Sequence, residues 1–220
     1  VKVAHVEGGI RSGDWSMPEE INRMVTDAVT NYFFTTSEFA NENLRRSGVA
    51  DARIFFVGNT MIDTLLANVA RFDPASVAGL HGLGDRYAVV TLHRPGNVDD
   101  PSTARAIVEP LVRIAAKIPL AIPLHPRGAE RLAALGLVDG SVGAGRIKIL
   151  PPLGYVEFLS LVRGAALVIT DSGGVQEEAP SLGKPVLVNN AVSIWAGLRA
   201  LKKYDSVPGF GRLLRDHLSA

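Results

Sequence analysis

The sequence of 220 residues contains no cysteine. Within these residues, that absence excludes disulfide bridges, a thiolate nucleophile and cysteine-bound zinc or iron–sulfur sites. Long hydrophobic runs are also missing, because the longest apolar segments, 87–92 and 165–170, fall far short of the roughly 20 residues that cross a bilayer. Neither charge sign is in excess: 23 basic and 22 acidic residues leave a formal charge of +1, which gives no electrostatic footprint for nucleic acid or an anionic membrane. With 47% hydrophobic residues, the composition predicts a globular, cytoplasmic protein with a substantial core.

Strand-like and helix-like patterns alternate along the chain. The strand candidates are short and mostly continuously apolar, as expected for strands covered on both faces. They are Lys2–Val6, Arg53–Val57, Tyr87–Leu92, Leu120–Leu124, Arg146–Leu150, Leu167–Thr170 and Pro185–Val188. The helix candidates are Pro18–Tyr32, Glu38–Arg46, Met61–Arg71, Ser102–Lys117, Arg127–Leu135, Val156–Gly164 and Val175–Leu182. Repeated β–α–β units of this kind predict an α/β fold with doubly wound parallel sheets.

A glycine- and proline-containing stretch with little periodicity divides the sequence in two. We interpret residues 73–86 as a linker between an N-terminal domain, residues 1–72, and a second domain, residues 87–188. The first is short for a doubly wound domain and begins directly on a strand pattern, so we expect it to be incomplete. Residues 189–220 differ in character and are expected to form a divergent helical tail.

Polar residues follow four of the predicted strands, at the edge where open parallel sheets bind their ligands. Glu7 follows the first predicted strand, His93 the third, His125 the fourth, and the turn Asp171-Ser172-Gly173-Gly174 the sixth. Because the carboxyl ends of parallel strands meet at one edge, this convergence predicts a ligand site there.

The Ser172-Gly173-Gly174 turn carries the strongest signal. Two glycines between a strand and a helix allow backbone N–H groups to approach an anion at the helix N-terminus, and Ser172 adds a hydroxyl donor. Glu178, about one turn along, is placed to hold a ribose diol. The alternative is a tight turn in which Ser172 caps the helix and the acidic residues favour its dipole.

His93 and His125 each follow a strand and each lies close to an arginine, Arg94 and Arg127 respectively. A histidine there neutralises phosphate charge or moves protons near neutral pH. A single histidine at a strand end is more often a hydrogen-bonded structural residue. Two of them beside arginines favour an anionic ligand.

Glu7 and Glu19 are the candidate catalytic carboxylates. Glu7 follows a strand expected to be buried, where desolvation raises a carboxyl pKa. Glu19 has a structural alternative, because Ser16-Met17-Pro18-Glu19 fits a capping box with proline in the first turn. No Walker loop, no GxGxxG after a strand and no metal-spaced His/Asp cluster is present. The residues alone therefore predict a two-lobed α/β protein with an anion site for a phosphorylated ligand.

Six motifs in consistent order give the sequence a specific resemblance to the non-hydrolysing UDP-N-acetylglucosamine 2-epimerases, over about residues 1–188. They are His5–Asp14, Pro18–Arg23, Gly58–Asp63, Thr91–Pro95, Pro123–Pro126 and Asp171–Pro185. The resemblance implies a fold of the GT-B type with two Rossmann-like domains and the nucleotide sugar in the cleft between them. It also implies interconversion of UDP-N-acetylglucosamine and UDP-N-acetylmannosamine by elimination and re-addition of UDP through 2-acetamidoglucal. No metal or redox cofactor is implied, and the expected partner is a second copy, as a homodimer.

Carried over by motif, the resemblance assigns Glu7 and Glu19 as acid/base groups and His93 as the residue that assists UDP departure. The remaining matched residues would bind UDP, with Glu178 on the ribose: His125, Ser172, Gly173, Gly174 and Glu178. The family also implies a role in making cell-surface polysaccharides.

Three departures from the family pattern leave other functions open. An upstream Gly-x-Arg-Pro-Glu turn and a further catalytic aspartate are not present, His93-Arg94-Pro95-Gly96-Asn97 lacks a carboxylate of the family motif, and residues 189–220 do not match. The alternatives are an inactive UDP-binding remnant, a hydrolysing epimerase and a GT-B glycosyltransferase. The carboxylate motifs at Glu7 and Glu19 argue against the glycosyltransferase.

Overall fold

A computed structural model describes residues 1–92, 107, 110–134 and 146–188 of the chain. The chain divides into two compact units, the first spanning Val1–Ala67 and the second beginning at Asn68. Three of the predictions above concern residues outside the described part: the position of His93, most of the first half of the helix at 102–117, and the tail at 189–220. Within the described residues, no helix is long and apolar enough to span a membrane.

The first unit contains a parallel sheet of three strands in the order β1-β2-β3, with helices in the connections. In chain order its elements are β1 (Ala4–Val6), α1 (Pro18–Val29), β2 (Tyr32–Thr35), α2 (Glu38–Arg46), β3 (Ile54–Phe56) and α3 (Thr60–Asn68). A 3-10 turn precedes β3 at Asp51–Arg53, and another follows α3 at Val69–Arg71. Phe33, Leu44 and Leu65 are fully buried and form the centre of this unit's core.

Strand β2 was not predicted, because the helical pattern was extended through Tyr32. That prediction is wrong at its end: α1 stops at Val29, and Tyr32–Thr35 forms the middle strand of the sheet. The cause is tertiary, since the amides of Asn31 and Tyr32 both donate to the carbonyl of Val3, at 2.8 and 3.2 Å. The Asn31 side chain accepts the amide of Val3 in return, at 2.9 Å. Pairing with β1 therefore ends the helix.

The second unit contains a five-stranded parallel sheet in the order β6-β5-β4-β7-β8. Its elements are α4 (Pro74–Leu80), β4 (Ala88–Thr91), α5 (helical at residues 110–115), β5 (Leu120–Pro123), α6 (Pro126–Ala134), β6 (Ile147–Leu150), α7 (Tyr155–Gly164), β7 (Leu167–Thr170), α8 (Gly173–Ser181) and β8 (Val186–Val188). Successive strands run outward from β4 to β6 and then cross back to β7, so the order reverses between β4 and β7. That reversal is the topological switch point of a doubly wound sheet.

The strands of the second sheet are apolar because both of its faces are covered. Ala88, Val89, Val90, Leu120 and Ile122 are fully buried, as the continuous apolar runs predict. The prediction of a parallel α/β fold is confirmed in both units, and the strand candidates agree with the observed strands to within one or two residues at each end.

The segment interpreted as a linker, residues 73–86, contains helix α4. Asp73 caps this helix by accepting the amide of Ser76 at 3.0 Å, and Pro74 occupies its first turn. The Asp73 amide donates to the Ser160 hydroxyl on α7 at 3.0 Å, and α4 packs along α7. The division between the compact units lies upstream, between Ala67 and Asn68.

Candidate functional site

Glu7 occupies the first position after β1 in a conformation that few side chains adopt. Its φ is 66°, the one positive φ outside glycine in the described part of the chain. A left-handed conformation at a residue other than glycine costs on the order of 1–3 kcal/mol and persists where the surrounding structure enforces it. Such strain is typical of functional positions, and it places a half-buried carboxylate at the sheet edge.

Both glycines after Glu7 lie in tight contacts, and packing requires glycine at Gly9. A Cβ on Gly8 would lie 3.0 Å from the ring of Phe33. A Cβ on Gly9, where φ is +79°, would lie 2.5 Å from the carbonyl oxygen of Ala40 and 2.7 Å from Leu44 on α2. The Asn43 side chain also donates to the Gly9 carbonyl at 3.0 Å. The loop is therefore pressed against α2, and this contact fixes where Glu7 projects.

An ion-pair cluster joins β1, the following loop and α1. Asp27 on α1 accepts from His5 Nδ1 at 2.6 Å and from the Arg11 guanidinium at 2.5 Å. All three side chains are largely buried, with 17%, 18% and 8% of the His5, Arg11 and Asp27 side chains exposed. The cluster thus ties β1, which precedes Glu7, and the loop after Glu7 to helix α1, which carries Glu19.

Glu19 does not take part in a capping box. Helix α1 begins after Met17, which makes no side-chain capping hydrogen bond, and the Ser16 hydroxyl instead donates to Asp14 at 2.6 Å. The capping interpretation of Ser16 and Glu19 is therefore wrong, because Ser16 lies one residue before the cap position. Glu19 itself is exposed in the first turn of α1. Its side chain remains available for chemistry.

The neighbouring residue, Glu20, was missed by the sequence analysis and is 98% buried. Its two carboxylate oxygens accept the backbone amides of Ser12 and Gly13, at 2.9 and 3.0 Å, and Arg23 lies 3.5 Å away. These amide hydrogen bonds lower the pKa of Glu20. Glu20 thus clamps the loop that connects the two candidate catalytic carboxylates. Glu20 is distinguished from Glu19 only by its burial, and the sequence does not display burial.

In the second unit, two threonines bridge β4 and β7 at the switch point. The hydroxyls of Thr91 and Thr170 are 2.6 Å apart, each at the last residue of its strand. Thr170 also accepts the backbone amide of Ser172 at 3.0 Å. This second hydrogen bond sets the direction of the chain as it leaves β7. The sequence analysis did not identify either threonine, because their contact depends on the strand order.

The turn after β7 is open toward solvent where a ligand would approach. Ser172 occupies the N-cap position of α8, as the capping alternative places it, but its side chain makes no capping hydrogen bond. A Cβ on Gly173 would meet no protein atom within 4 Å. Packing therefore does not require glycine at Gly173, in contrast to Gly9. Close approach of a ligand to the backbone would require a glycine there. The first amides of α8 point outward along the helix axis, the geometry that binds anions.

Glu178 lies farther along α8 with 6% of its surface exposed. The Tyr155 hydroxyl, on the first residue of α7, donates to Glu178 Oε1 at 3.0 Å. Burial raises the pKa of Glu178, and the hydrogen bond from Tyr155 opposes that shift. Burial also raises the pKa of Tyr155 to about 12, so its hydroxyl keeps its proton at neutral pH.

His125 is exposed just beyond β5, the strand next to β4. Its carbonyl accepts the amides of Gly128 and Ala129, at 2.8 and 3.1 Å, in the first turn of α6. The structure thus brings Ser172, Gly173 and Glu178 onto one strand–helix connection and His125 to the same edge of that sheet. No group of three or more His, Asp or Glu side chains that would hold a metal ion occurs among the residues described.

Comparison with known proteins gives a family match and several close relatives. The family model described as UDP-N-acetylglucosamine 2-epimerase matches residues 1–204. A UDP-N-acetylglucosamine 2-epimerase of Methanocaldococcus jannaschii is 43% identical over 193 residues, which is 85% of this chain and 53% of the relative. A UDP-2,3-diacetamido-2,3-dideoxy-D-glucuronate 2-epimerase of Pseudomonas aeruginosa is 38% identical over 202 residues, covering 90% and 54%.

Among solved structures, the M. jannaschii UDP-GlcNAc 2-epimerase in complex with UDP-GlcNAc and UDP superposes with a TM-score of 0.73. It is 42% identical, and the match covers 85% of this chain and 53% of that one. The GT-B-like fold is thereby confirmed. The chain spans about half the length of the curated relatives it matches.

Proposed function

Since this chain belongs to the UDP-N-acetylglucosamine 2-epimerase family, we propose that it interconverts UDP-N-acetylglucosamine and UDP-N-acetylmannosamine. The observation that carries the proposal is the open backbone at Gly173, directly after Ser172, which is followed on the same helix by the buried carboxylate of Glu178. A relative at 42% identity has been solved with UDP-GlcNAc and UDP bound.

The second unit supplies the groups that a nucleoside diphosphate needs. The amides of Gly173 and Gly174 and the hydroxyl of Ser172 bind phosphate oxygens at the positive end of the α8 dipole. His125 adds a donor from the adjacent strand end. Glu178 accepts hydrogen bonds from the ribose hydroxyls. Its carboxylate is buried and accepts from one hydroxyl, that of Tyr155, among the described residues, so it retains capacity to accept more.

The chemistry is an elimination followed by an addition. A base removes the proton at sugar C2, the C1–O bond breaks with its electron pair leaving on UDP, and a C1=C2 double bond forms in 2-acetamidoglucal. Protonation of C2 on the opposite face, with return of UDP to C1, completes the inversion. The overall change is redox-neutral, so no redox cofactor enters the balance.

Inversion at C2 needs a proton acceptor on one face and a proton donor on the other, and we assign these roles to Glu7 and Glu19. The strained backbone of Glu7 and the clamping of the intervening loop by Glu20 support positions that are fixed before the substrate binds. His93 assists departure and return of UDP. His93 lies outside the described residues and is assigned by its motif alone.

One relative favours a second candidate substrate. The P. aeruginosa protein is named for a UDP-2,3-diacetamido sugar acid and matches 90% of this chain. The same elimination at C2 serves either sugar, so the preference is decided by groups around C3 and C6.

We also propose that the protein acts in the cytoplasm as a homodimer and supplies a precursor of cell-surface polysaccharide, all three on the basis of the family resemblance.

The experiment is a bidirectional conversion assay. The purified protein is incubated separately with UDP-N-acetylglucosamine, UDP-N-acetylmannosamine and UDP-2,3-diacetamido-2,3-dideoxy-D-glucuronate, and products are separated by anion-exchange chromatography. We expect the first two to converge on the same mixture. Replacing Glu7 or Glu19 with Gln should lower kcat by about 10²–10⁴-fold.

Glu42→Gln provides a matched control, because Glu42 is an exposed carboxylate on α2 paired with Arg46. Full activity in Glu7→Gln and Glu19→Gln would contradict the catalytic assignment. Conversion of the diacetamido sugar alone would replace the first substrate with the second.

A further inference from the structure

The buried carboxylate of Glu178 depends on one tyrosine. A carboxylate removed from water is costly unless its oxygens are hydrogen-bonded. Within the described residues, Glu178 forms no salt bridge, and its side-chain hydrogen bond is the one from Tyr155 to Oε1 at 3.0 Å. No hydrogen bond to Oε2 is present in that part of the chain, so this oxygen is left for a ligand.

Tyr155 differs from the structural tyrosine of the same unit. Tyr87 is 2% exposed and donates to the carbonyl of Leu161 within the core, at 2.8 Å. Tyr155 is 41% exposed, which is unusual for a side chain whose purpose is packing. It begins α7, directly after the loop that leaves β6, and therefore reaches Glu178 from a different strand–helix connection.

The protonation state of Tyr155 makes the contact directional. The Tyr155 hydroxyl donates to Glu178 Oε1, and with its pKa raised to about 12 it remains a donor at neutral pH. With Oε1 occupied by Tyr155, rotation of the carboxyl group is restricted. Oε2 is then held in one direction.

We propose that Tyr155 is a positioning residue that orients Glu178 to accept the ribose 2′- and 3′-hydroxyls of a uridine nucleotide. The proposal rests on the proposed function, in which Glu178 faces the ribose. Tyr155 thereby determines how strongly the protein distinguishes a ribonucleotide from a nucleotide that lacks those hydroxyls.

The test compares two ligands on four proteins by isothermal titration calorimetry. The ligands are UDP and 2′,3′-dideoxy-UDP, and the proteins are wild type, Tyr155→Phe and Tyr32→Phe, with Glu178→Gln as a fourth protein that tests the underlying assignment. Tyr32 is the control, because its hydroxyl accepts from Lys2 in the first unit at 2.9 Å. Tyr155→Phe should weaken UDP by about 5–20-fold and dideoxy-UDP by less than about twofold. Tyr32→Phe should change neither.

Equal weakening of both ligands in Tyr155→Phe would overturn the proposal, because a general structural role affects both alike. Unchanged UDP affinity in Tyr155→Phe would overturn it as well. Failure of the underlying assignment gives a different result: wild-type protein would then bind UDP and dideoxy-UDP equally, and Glu178→Gln would not affect either. A thermal unfolding scan of each variant confirms that the fold is retained.

Discussion

The position of Glu7 depends on the absence of a side chain at Gly9, and this dependence is open to a matched test. Gly9→Ala and Gly13→Ala both place a methyl group at a positive φ, +79° and +73° respectively. That backbone strain costs about 1–2 kcal/mol in each variant. The surroundings differ, because the Gly9 methyl would lie 2.5 Å from a backbone carbonyl on α2 while the Gly13 methyl would meet nothing within 4 Å.

The clash at Gly9 cannot be relieved by rotating a flexible side chain, since its nearest atom belongs to the Ala40 backbone. Overpacking of this kind adds about 1–3 kcal/mol. We therefore expect Gly9→Ala to be less stable than Gly13→Ala by about 1–3 kcal/mol, and to lose the proposed epimerase activity through displacement of Glu7. Urea denaturation followed by circular dichroism measures the difference, and hydrogen exchange of peptides from β1 to α2 localises it. Equal stability of the two variants would refute the packing argument.

Three further predictions concern other positions. Glu20→Gln should reduce stability at neutral pH, because the amide hydrogen bonds from Ser12 and Gly13 hold the pKa of Glu20 below its usual range and the ionised carboxylate stabilises the fold until the pH falls through that lowered pKa. Unfolding scans between about pH 3 and about pH 7 should show a weaker pH dependence than wild type. Thr170→Val removes the acceptor of the Ser172 amide and should weaken UDP binding about fivefold in calorimetry, with an unchanged Kd contradicting the role given to Thr170. Gly164→Ala would place a methyl group against the buried hydroxyl of Tyr87 and should destabilise by about 1–3 kcal/mol, whereas Gly79→Ala, with nothing within 4 Å of the added methyl, should not destabilise.

The apolar runs predicted all five strands of the second sheet, because strands buried on both faces leave a continuous hydrophobic signal, but only two of the three strands of the first sheet. Helix α4 carried a signal that the analysis passed over: Asp73-Pro74 is a capping residue followed by proline in the first turn. The aromatic run Tyr32–Thr35 likewise favours a strand, but the helical period before it obscured the boundary.

The candidate site was predictable to the extent that its residues follow strands directly. Ser172 and Glu7 were identified from the sequence for this reason. Glu20 and Thr170 were not, because their roles depend on contacts with amides and hydroxyls that approach only in the folded chain. Glu19 and Glu20 are adjacent and chemically identical in the sequence. They differ in burial: Glu19 is exposed, whereas Glu20 is buried and clamps a loop.

The central claim is proton exchange at the sugar C2, and proton NMR of UDP-N-acetylglucosamine with the protein in D₂O tests it most directly. The account predicts that the C2 proton signal decays as deuterium enters and that the anomeric signal of UDP-N-acetylmannosamine grows. It predicts further that Glu7→Gln slows both changes by about 10²–10⁴-fold. Retention of the C2 proton, with the UDP resonances broadened by binding, would contradict the epimerase assignment and leave a protein that binds the nucleotide without turning it over.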